Sequence, residues 1–218
     1  MYLCEGGVQV VTLLEANAVR LTLQGQVYDL ARVESANGTR FAAGTLVWSI
    51  QSEGIFEDDA DAANPKILAK GCRLQSTFPA SATTVSVITG TVSFGPHPAL
   101  PENAVLLVEL RDQNLAMGDP AAELAQVRIP MKGRASPVTF ELPLDRSKLS
   151  AKVRPALSAS ITSGANRLFR LNNPVVIPEL TNPAPVALAL SPASRGKSAT
   201  PPPAKPQNPP QNQARSAH

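Results

Sequence analysis

Few side chains in this 218-residue chain are equipped for covalent or metal chemistry, and they are scattered. The two histidines are His97, enclosed by Pro96 and Pro98, and His218. A histidine becomes a general base when a hydroxyl or thiol lies within hydrogen-bond reach, and neither has such a neighbour in sequence. Glu57, Asp58, Asp59 and Asp61 crowd one stretch and supply the raw material for a calcium site. They lack the alternating ligand positions and terminal bidentate glutamate of an EF-hand loop, so a solvated acidic loop is the better reading. Gly6-Gly7 is isolated and no Lys-Ser/Thr follows it, which leaves no phosphate cradle. The expectation is a protein that is not an enzyme, with no catalytic residue, no metal site and no cofactor.

Cys4 and Cys72 are the only cysteines and sit at the two ends of the first third of the chain. A bond between them would close a loop worth roughly 4 kcal/mol on the chain-entropy argument. A zinc or redox pair is a poorer reading, because there is neither C-x-x-C spacing nor a histidine partner. Two buried free thiols are the plain alternative. The disulfide is preferred, since a staple joins the ends of a segment, and it implies an oxidising, periplasmic or extracellular setting.

The remaining candidate is a binding loop. The stretch "SANGTRFAAGTLVWS", Ser35 to Ser49, places Asn37-Gly38, Arg40 and Phe41 ahead of the only tryptophan, Trp48. Asn-Gly is a strong hairpin signal because both residues tolerate the positive φ of a type I′ turn.

Strands must carry that loop. Val8–Leu14, Ala18–Leu23, Gln26–Val33, Thr45–Ile50 and Ile67–Leu74 are rich in Val, Leu and Thr and are separated by turn residues. This spacing predicts an antiparallel meander closing into a small barrel over residues 1–75. A linker at 76–84 precedes a second all-β region at 85–180, an expected β-sandwich. There "TVSVITGTVSF", "AVLLVELRD" and "PVTFELPLD" alternate, with Val138, Phe140, Leu142 and Leu144 on one face. Leu157, Ala159 and Ile161 continue the pattern, and only "PAAELAQ" suggests a helical turn. Residues 181–218 are expected to be a basic, Pro-rich disordered tail, the composition changing most sharply after Leu190.

Net charge is +3, but residues 1–75 hold six Lys/Arg against nine Asp/Glu, while four basic and no acidic residues follow Leu180. The tail therefore sets the basic balance, and a nucleic-acid partner loses its main support. No apolar run approaches the roughly 20 residues of a spanning helix, so membrane contact is expected only through a lipid anchor upstream of residue 1.

Residues 2–74 resemble the membrane-bound inhibitors of C-type lysozyme found in bacterial envelopes. The matching pieces are Tyr2, Cys4 and Gly6, then Leu30 and Val33 leading into "SANGTRF", then "LVWS" and Cys72. The resemblance implies a small β-barrel and a Cys4–Cys72 disulfide. It also implies a loop at Asn37, Gly38, Arg40 and Phe41 that enters the lysozyme cleft and meets its catalytic carboxylates. The sequence departs from the pattern at three places. Asn37 stands where the family has serine, Phe41 replaces tyrosine, and Ile50 occupies about the place of a lysine that follows the tryptophan.

Residues 85–178 resemble YbaY/YscW-like envelope lipoproteins through "ITGTVSF", "LPENAVLLVELRD", "SPVTFELPLD" and "LFRLNNPVVI". That resemblance implies a β-sandwich and, as an alternative function, a pilotin- or chaperone-like role with an outer-membrane or secretion component. Together the two resemblances point to a periplasmic, outer-membrane-associated protein.

Overall fold

A computed structural model gives the fold of residues 1–77, 84–95, 100–116 and 118–193. His97 and His218, most of the expected linker and the tail from residue 194 lie outside the described residues.

The first body is a closed barrel of eight strands in sequence order. They are β1 (Tyr2–Leu3), β2 (Gln9–Leu14), β3 (Ala18–Leu23), β4 (Gln26–Val33), β5 (Thr39–Ala43), β6 (Leu46–Ile50), β7 (Gly54–Asp58) and β8 (Lys66–Leu74). Every pairing is antiparallel, and the two-residue β1 closes the barrel by bonding to both β2 and β8. Inward residues alternate with outward ones, as closure requires. The interior holds Val10, Val19, Leu21, Leu30, Phe41, Trp48 and Phe56 beside Cys4 and Cys72, which are disulfide-bonded. Trp48 is fully buried, with its ring edge-on to Tyr2 at 5.3 Å and to Phe56 at 6.4 Å. Gly54 makes room for it, since a Cβ there would stand 2.4 Å from Trp48 Cη2.

The expected sandwich is realised as one continuous sheet that curls over its own core. Its strands are β9 (Val85–Phe94), β10 (Ala104–Asp112), β11 (Glu123–Pro130), β12 (Val138–Asp145), β13 (Pro155–Ser163), β14 (Asn166–Arg170), β15 (Val175–Val176) and β16 (Val186–Pro192). The order is β11-β10-β13-β14-β16-β9-β12, with β15 added to β13. Phe140, Leu142 and Leu144 join Leu157, Ala159 and Ile161 in its core, as their alternation predicts. "PAAELAQ" begins as a 3-10 turn at Pro120–Ala122 and then becomes β11.

The boundary at residue 180 needs correction. β16 lies inside the expected tail and pairs in parallel with β9 from Val186↔Gly90 to Leu190↔Phe94. Leu188 and Leu190 alternate into the core, which gives that short apolar run a reason to order despite the prolines around it.

The two bodies touch along β12, the edge strand of the second sheet. The Glu141 backbone N–H donates to Gln9 Oε1 at 3.1 Å, and Glu141 Oε1 accepts from the Gly25 N–H at 3.3 Å. Arg134 Nε donates to the Gly6 carbonyl at 2.7 Å on the same junction. An exposed strand edge invites unwanted pairing, and here the barrel covers one.

Candidate functional site

The loop between β4 and β5 projects from the barrel wall as an exposed segment. Residues 31 to 38 are all exposed, and the last β4–β5 pair is Val33↔Arg40. The connection is therefore longer than a two-residue hairpin, and the expected type I′ turn is not formed. Gly38 has φ +78°, whereas Asn37 does not adopt a positive φ, because a longer loop can reverse direction with one left-handed residue. Ser35 Oγ donates to the Asn37 carbonyl at 2.8 Å and braces the bend from within.

Gly38 is fixed by space as well as by backbone angle. A Cβ there would lie 2.2 Å from the Ile50 carbonyl oxygen, so the loop rests directly on the end of β6. Gly38→Ala is expected to cost the barrel about 2 kcal/mol, read as a lowered denaturation midpoint. An unchanged midpoint would mean that the loop moves freely off β6.

Arg40 and Phe41 are neighbours on β5 and so point to opposite faces. Arg40 is half-exposed, and its Nη2 stands 3.4 Å from Asp59 Oδ2. Asp59 is itself tied back, its N–H donating to the Thr45 carbonyl at 2.7 Å. Phe41 is 3% exposed and belongs to the barrel core opposite Trp48, so its expected place at the contact surface is corrected. Ile50 is partly buried against the same core.

The acidic stretch is divided among several tasks. Glu57 and Asp58 lie on β7, and Asp58 and Asp61 accept the Ala60 and Ala63 amides. Asp59 is the member that bears on the site, by holding Arg40. Sequence reading grouped it with the solvated carboxylates, and no local signal marks it out because Arg40 lies on β5 whereas Asp59 follows β7.

A shallow concavity of about 710 Å³ runs beside the loop, with Asn17, Arg32, Glu34 and Arg40 on its rim. The surface thus offers an amide at Asn37, two guanidinium groups and loop backbone groups. These can donate hydrogen bonds to carboxylates, and guanidinium does so in two-pronged fashion.

Comparison with known proteins divides the chain at the same place as the fold. Residues 2–65 match the family described as membrane-bound lysozyme inhibitor of C-type lysozyme. That match stops just short of β8, which carries Cys72 and closes the barrel. Residues 83–190 match the family described as type III secretion system lipoprotein chaperone, YscW, and so include most of β16. A curated relative, the uncharacterised lipoprotein YbaY of Escherichia coli, is 33% identical over 110 residues, 46% of this chain and 57% of that protein. A solved structure of an alternative pilotin from the type II secretion system of Vibrio cholerae is 31% identical. It covers 50% of this chain and 97% of its own, with a TM-score of 0.44. The chain therefore joins, in this order, a barrel resembling the lysozyme inhibitors and a curled sheet resembling the YbaY/YscW lipoproteins.

Proposed function

We propose that the chain is a non-enzymatic envelope protein whose barrel binds a C-type lysozyme through the loop at Asn37, Gly38 and Arg40. The observation that carries this reading is the union of an outward loop, fixed on β6 at Gly38, with a half-exposed guanidinium at its base. The match of residues 2–65 supports the same reading. The barrel's excess of carboxylates favours encounter with a basic enzyme. Asn37 takes the role of donor to the cleft carboxylates, and its amide is longer than the serine hydroxyl it replaces. The disulfide fits a periplasmic location.

Titration of the oxidised protein against a basic C-type lysozyme, reading both binding and residual lytic activity, tests this. Arg40→Glu should weaken binding by roughly a hundredfold, because it removes a charge-assisted donor and adds repulsion toward the cleft carboxylates. An unchanged affinity, with the barrel still folded, would remove the loop from the site.

The match of residues 83–190 favours a second reading, in which the curled sheet assists assembly of an outer-membrane secretion component. Association of the chain with a secretin, unaffected by Arg40→Glu, supports that role. Failure to associate with any secretin encoded beside the gene counts against it.

A further inference from the structure

A carboxyl group is sealed where the two bodies meet. Glu141 lies on the outward face of β12, yet only 2% of it is exposed, because the barrel sits over it. Its N–H donates to Gln9 Oε1 while its Oε1 accepts from Gly25, so strand and barrel exchange hydrogen bonds in both directions. Its Oε2 is buried and takes no hydrogen bond from the described residues. Facing the carboxyl are Gln9 and Val11 from β2, Gln24 and Gly25 from the β3–β4 turn, and Thr89, its partner on β9. None of these is ionisable.

We propose that this junction is a proton-operated latch: the barrel stays seated on the β12 edge while Glu141 is a neutral acid, and ionisation of Glu141 releases it. The released edge would present a row of unpaired backbone groups able to accept an added strand.

The electrostatics run the same way as the geometry. Burial pushes the Glu141 pKa up from 4.5 to about 8, against the opposing pull of the Gly25, Gln24 and Val11 amides. An acid with a higher pKa when docked takes up a proton on docking. Docking is then strongest below pH 4.5 and weakens as pH rises toward 8, by roughly a thousandfold over the whole span. Met1 also lies at this junction, where its Sδ accepts from Gln9 Nε2 at 3.5 Å. Arg134 stays charged throughout.

Hydrogen exchange on the full chain, corrected for intrinsic rates, reads the latch directly. Protection of the Glu141 and Gly25 amides, relative to core amides such as Ile88, should fall at least tenfold between pH 5 and pH 8. Glu141→Gln should remove that fall. Equal protection at both pH values in the unaltered chain, or a fall that persists in Glu141→Gln, overturns the latch. The carboxyl carbon shift of Glu141 in the unaltered chain needs no variant. A midpoint well above 4.5 that tracks the loss of protection supports the latch, and a midpoint near 4.5 overturns it.

Discussion

Replacing Cys4 and Cys72 together by alanine is expected to lower the stability of the barrel by about 4 kcal/mol. The bond spans 68 residues and joins the segment just after β1 to β8, the strand with which β1 closes the barrel. β1 has only two residues, so few backbone hydrogen bonds hold that closure by themselves. The bond also keeps Tyr2 against Trp48. Trp48 is the only tryptophan, so its fluorescence follows the barrel and not the second body. Denaturant titration of the double variant should show an early transition by fluorescence and a separate, later one by far-UV circular dichroism. A fluorescence midpoint equal to that of the oxidised chain would mean that β1 closes the barrel unaided.

Trp48→Ala is expected to cost a similar amount, about 3–5 kcal/mol. The ring is fully buried between Tyr2 and Phe56, and Gly54 is shaped to its outer edge. Its Nε1 is buried without a hydrogen-bond partner among the described residues. Removing that orphan donor relieves part of the penalty, which places the expected loss at the low end of that range. Trp48 stands opposite Phe41 in the β5–β6 ladder, so the cavity would open beside the Phe41 ring inside the barrel. Denaturation followed by circular dichroism gives the value, and a loss below about 1 kcal/mol would mean that neighbouring rings collapse into the space.

How much of this was legible in the sequence depends on where each apolar residue had to go. β3 and β4 have the bounds read from "AVRLTL" and "QVYDLARV", because alternation and turn residues agree there. β5 and β7 escaped notice. Their inward aromatics, Phe41 and Phe56, sit in five-residue runs, "TRFAA" and "GIFED", too short and too mixed in composition to show alternation. β16 was hidden in the same way by the prolines on both sides of "VALAL". The loop tip at Asn37-Gly38 was found by its composition, but its conformation depends on register, which places Arg40 opposite Val33. The Arg40–Asp59 pair and the junction at Glu141 bring together residues from distant strands, and no spacing rule links them. Glu141 reads as an ordinary outward residue of an alternating strand, and only the docked barrel makes it buried.

The parallel pairing of β16 with β9 has a kinetic consequence. In the barrel each strand bonds to its successor, and only the β1–β8 closure is long-range, so the barrel can form early from an emerging chain. β9 must wait for β12 on one side and for β16 on the other, where Gly90 meets Val186. Until then Ile88 and Val92 are only partly covered, and the slow search for distant partners leaves strand edges open to wrong pairing. In the folded chain the other edge of β12 is covered by the barrel through Gln9 and Gly25. A chain stopped short of Val186 therefore leaves the β16-side edge of β9 without its partner strand.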